Sequence, residues 1–199
     1  MADFIKYFER NNGYATVKEL KSDGFHTSVI KKMADEGVIY KIKPGLYRLD
    51  DLPEPETVSF DFVDTAKAVP GSVICLLSAL SYYDLTTYMS PSVNIAVERS
   101  KKIPKVTGVN IKGYYFSEST FILGINEIKT KYGAVKIYDR EKSLCDAFRY
   151  RNKIGEDIAY ECLKNYVKGN GTDFLKLREY AKICKVSEIV NSSLKTLLG

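Results

Sequence analysis

Three short stretches of helical periodicity lie within residues 1–50, and two β-prone runs about Pro44–Gly45 follow them directly. Few folds accept that order at that length. Phe4, Ile5 and Phe8 recur at helical spacing and predict a first helix over 2–11, stopped by the Asn-Asn-Gly at 11–13. Thr16 is placed to cap a second helix, with Glu19 three residues on as in a capping box and Val17 and Leu20 as its apolar stripe. Gly24 ends it. A third helix begins at His26 or Thr27, turns Ile30, Met33 and Ala34 inward, and ends at Gly37. The runs VIYKI and LYRL then flank Lys43-Pro44-Gly45 and predict a hairpin.

On a helical wheel the inward face of the third helix leaves Thr27, Ser28, Lys31 and Lys32 outside together. Hydroxyls there can serve base edges or phosphates, and the ammonium groups can neutralise phosphates. Two helices joined by a short glycine-bearing turn form a helix-turn-helix, and a hairpin directly after the second helix is a wing. The wing brings Lys41 and Lys43, and Thr16 is placed to offer backbone amides at the start of the second helix to a phosphate. Any exposed amphipathic helix shows lysine and serine outward, so the order of the elements carries this reading. Overall charge does not: residues 1–50 hold nine basic and seven acidic side chains. Placement does, because Asp3, Glu9 and Asp50 fall outside the helix-turn-helix and wing.

The stretch DDLPEPE at 50–56, with two prolines, reads as a boundary between a winged helix-turn-helix domain at 1–52 and a larger domain at 57–199. In the larger part, helices are predicted over 58–69 and, capped by Ser72, through CLLSALSYYDL. Strands follow at 92–98, 109–116, 125–132 and 134–139, the last two forming a hairpin about Gly133. Asp139 caps a helix through Phe148, with Lys142 and Asp146 as an i,i+4 pair. Helices near 156–168, 173–184 and 187–197 close the chain. The fold class is therefore α+β: a winged helix, then a small mixed β-sheet with several C-terminal helices.

The sequence argues against catalysis. Its one histidine, His26, lies in the helix-turn-helix, so histidine general-base chemistry and histidine-rich metal sites are not expected. No glycine-rich phosphate loop stands before a Lys-Ser/Thr. Ser143 has no base near it in sequence. No cofactor, no metal and no enzymatic activity are expected. Cys75, Cys145, Cys162 and Cys184 are widely spaced with apolar or helical flanks, and read as buried thiols in a reducing compartment. The N-terminal residues resemble neither a signal peptide nor a membrane span, so a cytoplasmic location is expected. A second basic stretch carries Arg99, Lys101, Lys102, Lys105 and Lys112 against one acid, Glu98. It reads either as solvated loop or as an extension of a nucleic-acid footprint. Most of the 15 tyrosines read as core rather than as stacking platforms for bases.

The run GYATVKELKSDGFHTSVIKKMADEGVIYKIKPGLYRL resembles the N-terminal winged helix of AbiEi-type antitoxins of bacterial abortive-infection, type IV, toxin–antitoxin systems. The motif residues are Thr16, Glu19 and Leu20; Gly24, Phe25 and Ile30; then Gly45, Tyr47 and Arg48. Two later segments, GSVICLLSALSYYDLTTYMSPSVNIAVE and IYDREKSLCDAFRYRNKIGEDIAYECLKNYV, are similar to the helix-then-strand and E-K-(T/S)-L-x-D segments of the same family. The resemblance implies a DNA-binding antitoxin that represses its own operon by binding promoter inverted repeats. Its C-terminal domain would counter a nucleotidyltransferase-like toxin without a stable complex, as part of phage resistance. It would be a monomer or weak dimer in solution, paired on DNA. The family's recognition helix is often arginine-rich; Thr27, Ser28, Lys31 and Lys32 lean instead toward phosphate contacts. The alternative is a protein-interaction module that neutralises its toxin by direct binding and uses the winged helix for docking.

Overall fold

The computed structural model describes residues 2–98 and 100–198. The chain forms two compact units: Met1–Pro70 with Ile103–Asn110 and Ile128–Val135, and Gly71–Lys102 with Ile111–Glu127 and Lys136–Gly199. Both mix helix with a small sheet, and helices fill the C-terminus.

The first unit begins with α1 (Ala2–Arg10), β1 (Tyr14–Thr16), α2 (Val17–Ser22) and α3 (Thr27–Asp35). The hairpin β2 (Ile39–Lys43) and β3 (Leu46–Leu49) and the helix α4 (Phe60–Ala68) complete it. Phe4 and Phe8 from α1 meet Leu20, Ile30, Met33, Ile39 and Leu49 in one apolar cluster, which holds the three helices against the hairpin. Strand β1 was not legible in the sequence, being too short to show alternation. It pairs antiparallel with β3, Tyr14 opposite Arg48 and Thr16 opposite Leu46, and makes a three-stranded sheet ordered β1-β3-β2.

The acidic stretch at 50–56 lies inside this unit, which continues through α4. Polar contacts tie α4 to the sheet. Asp64 is buried, its carboxylate 3.0 Å from the Arg48 guanidinium and 2.5 Å from the Tyr14 hydroxyl that donates to it. Burial raises the Asp64 carboxyl above its ordinary value although Tyr14 and Arg48 both pull it down. Arg48 also lies 4.1 Å over the Phe60 ring. Two later segments join the same unit. The Thr107 amide donates to the Ile42 carbonyl at 2.8 Å, which sets residues 103–110 beside β2, and the Tyr132 hydroxyl donates to the Pro53 carbonyl.

The second unit contains β4 (Val73–Ile74), α5 (Leu76–Tyr82), β5 (Val93–Val97), β6 (Ile111–Tyr115), α6 (Glu118–Phe121), β7 (Ile125–Thr130) and β8 (Gly133–Tyr138). It closes with α7 (Arg140–Arg149), α8 (Arg151–Ile154), α9 (Glu156–Lys168), α10 (Phe174–Ile183) and α11 (Ser187–Leu198). The residues of β7 and β8 next to their turn count with the first unit. The sheet is mixed and ordered β6-β5-β4-β8-β7: β4 runs antiparallel to β5 and parallel to β8, and β5 runs parallel to β6. Ser72 does not cap a helix as expected. Val73 and Ile74 form a strand first, and α5 starts after Cys75, which is extended. Helix α7 packs on α5, α9 and α10, and so buries Glu141, Lys142, Ser143 and Asp146 despite its polar sequence. The four cysteines are buried free thiols.

Candidate functional site

Helices α2 and α3 are set by their ends. Phe25 N–H donates to Leu20 O at 3.0 Å and Gly24 N–H to Lys21 O at 3.1 Å, a Schellman pair that needs the positive φ of +91° at Gly24. Phe25 then packs edge-on against Phe4, ring centres 5.0 Å apart, which fixes where α3 starts. His26 is the cap and Thr27 the first helical residue. The His26 Nδ1 accepts from the Ser28 amide at 3.5 Å and lies 3.0 Å from the Ser28 hydroxyl. At the other end Val38 N–H donates to Met33 O and Gly37 N–H to Ala34 O, a second Schellman turn leading into the hairpin.

Ile30 and Met33 are buried and Ala34 partly so, while Thr27, Ser28, Lys31 and Lys32 are all exposed, as the wheel predicts. Val29, on the flank beside Lys32, is 36% exposed. The face is polarised along its length. Hydroxyls and lysines occupy its first two turns, and Asp35 and Glu36 stand exposed at its end. Lys32 lies 3.7 Å from Glu36, a surface pair in open solvent that holds the lysine only loosely. The N-terminal half of α3 is thus the part compatible with a polyanion.

The two hairpin lysines differ. Lys41 is exposed on β2, opposite Tyr47. Lys43, past a bulge in the β2–β3 register, is half-buried and donates its Nζ to the Ala68 carbonyl at 2.7 Å. It is engaged within the unit rather than offered to solvent. The bulge, which places Lys43 differently from Lys41, has no signal in the sequence pattern.

Thr16 takes the capping role expected of it. The capping box forms: Glu19 N–H donates to the Thr16 hydroxyl oxygen at 3.2 Å, and Thr16 N–H donates to the Glu19 carboxylate at 2.7 Å. Val17 N–H donates to the Gly45 carbonyl at 2.9 Å. These amides are satisfied internally, and the place of an anion is filled by Glu19, whose carboxyl the Thr16 amide and hydroxyl hold below its ordinary value. Thr16 is the cap of α2.

The second basic stretch is divided. Arg99 lies outside the described residues. Lys101, half-buried, and Lys102, exposed, belong to the second unit, as does Lys112 on β6, whose Nζ is 5.6 Å from the Tyr114 ring centre. Lys105 belongs to the first unit, exposed on the segment that Thr107 joins to β2. Sequence adjacency alone suggested one patch.

Asp139, Glu141 and Asp146 of the second unit are turned toward lysines of the same unit. Asp139 caps α7, accepting from Lys142 N–H at 2.8 Å. Lys176 bridges Asp139 and Glu141 at 3.0 and 3.1 Å, and the Tyr166 hydroxyl donates to Glu141 at 2.8 Å. The expected Lys142–Asp146 pair forms at 2.5 Å, both side chains fully buried. Burial pushes the Asp146 carboxyl up to about 6 in spite of Lys142. Among the described residues, no group of three or more histidine, cysteine or acidic side chains is arranged to hold a metal ion. No described helix is long and apolar enough to cross a membrane.

Set against models of known protein families and against curated proteins, the sequence matches none.

Proposed function

We propose that the first unit is a winged helix-turn-helix that binds duplex DNA through the N-terminal half of α3, with Lys41 on the hairpin as a flanking contact. The observation that carries this reading is the outer face of α3. Thr27, Ser28, Lys31 and Lys32 are exposed together on a helix held by a glycine turn on one side and a hairpin on the other. Lys105, exposed on the segment beside β2, can extend the basic footprint. Lys43 and Thr16 support the framework instead.

We further propose, from the resemblance of both halves to AbiEi-type antitoxins, that the DNA is the promoter of the chain's own operon. In this reading the chain is an autorepressing antitoxin whose second unit counters a nucleotidyltransferase-like toxin. A mobility-shift assay on the DNA upstream of the gene tests the binding. Retardation of that duplex ahead of a scrambled one of equal length supports the reading. Equal or absent retardation, with a stable complex to the neighbouring gene product, supports docking to protein instead.

A further inference from the structure

Val29 is the one large hydrophobic side chain of the first unit that is exposed among the described residues. Neither stability argument accounts for it. The core-facing positions of α3 are filled by Ile30 and Met33, and valine is a poorer helix former than the lysine or alanine that would serve at a solvated site. It stands in the first turn, on the flank of the exposed face that Lys32 borders one turn on, and at the end of the helix away from Asp35 and Glu36.

Resting on the DNA-binding reading above, we propose that Val29 is a specificity-determining residue, and that the bases α3 reads include thymine, recognised by its 5-methyl group. The other exposed side chains discriminate weakly. Serine and threonine hydroxyls donate to or accept from any base, and lysines on flexible stems serve as point charges for phosphates. Helix α3 carries no arginine, asparagine or glutamine, the side chains that pair in bidentate fashion with guanine or adenine. The valine methyl groups have one apolar complement on the floor of the major groove, the thymine methyl.

The test uses the full chain, the promoter duplex, and the same duplex with deoxyuridine in place of thymidine, which removes only the methyl groups. The unsubstituted chain is expected to bind the deoxyuridine duplex about three- to five-fold more weakly for each methyl contacted. Val29→Ala is expected to bind the thymidine duplex more weakly by a similar factor and to distinguish the two duplexes no longer. Equal binding of the two duplexes by the unsubstituted chain overturns the inference and leaves DNA binding standing. So does a deoxyuridine effect that persists in Val29→Ala. Failure to bind either duplex overturns the inference together with the reading beneath it.

Discussion

Replacing Lys142 by methionine is expected to destabilise the chain by about 2 kcal/mol near pH 7.5 and by almost nothing near pH 5. Lys142 and Asp146 are one helical turn apart on α7, 2.5 Å between charged atoms, both side chains fully buried. The ammonium also lies 4.1 and 4.5 Å from the ring centres of Tyr138 and Phe116. Asp146 Oδ1 has no hydrogen-bond partner, so Lys142 on Oδ2 is what offsets the buried carboxylate charge. Methionine keeps the volume and removes the charge, leaving the carboxylate unpaired. It then folds only in its neutral form. Keeping it neutral costs at most about 1.4 kcal/mol for each pH unit above an unfolded value near 4, or about 5 kcal/mol near pH 7.5; the parent, whose Asp146 titrates at about 6, already loses about 3 of these, and near pH 5 the two lose about the same. The sign follows from Asp146 itself. Its folded value, about 6, lies above the unfolded one, so its protonation favours the folded state. That contribution is fully present below the unfolded value, about pH 4, and is lost as pH rises through the folded value. Urea denaturation followed by near-ultraviolet dichroism at the two pH values reads the difference. The double variant Lys142→Met, Asp146→Leu should recover most of the loss and be insensitive to this pH change. A loss in Lys142→Met that is the same at both pH values, or under about 1 kcal/mol near pH 7.5, would refute the reasoning.

Three further outcomes are expected. Thr16→Ala, which removes the cap of α2, should lower stability by about 1 kcal/mol in denaturant titrations while leaving the salt dependence of DNA binding unchanged. Lys41→Met should reduce the slope of log K against log salt by about one, whereas Lys43→Met, which loses the contact to Ala68, should show its effect in stability and leave that slope alone. Arg48→Met should destabilise by about 3 kcal/mol, because Asp64 is left buried with only Tyr14 to satisfy it, and proteolysis should then open the chain near 50–60.

Much of the chain was legible from local signals, because those signals act within a turn or two. Thr16 and Glu19 specify the capping box, Gly24 and Gly37 the two helix ends, Asp139 the start of α7, and Ile30 and Met33 the buried side of α3. What failed was non-local. Strand β1 has three residues and no pattern of its own; it exists because the edge of β3 is open to it. The engagement of Lys43 with Ala68, 25 positions away, and the assignment of Lys105 to the unit that holds β2 depend on how distant segments return. Lys142 and Asp146 were readable as a pair, but their complete burial was not, since three other helices produce it. The exposed face of α3 was readable residue by residue; Val29, on the flank between Lys32 and Met33, falls on neither side of the wheel and its exposure depends on the packing around it.

The most direct measurement is fluorescence anisotropy of the labelled promoter duplex, titrated with the chain and with its Lys31→Ala, Lys32→Ala variant across a series of salt concentrations. If α3 grips the phosphates with these two lysines, the variant binds more weakly at low salt, and its slope of log K against log salt is smaller by about two. A variant that binds with the parent's affinity and the parent's slope would contradict the placement of DNA on this helix.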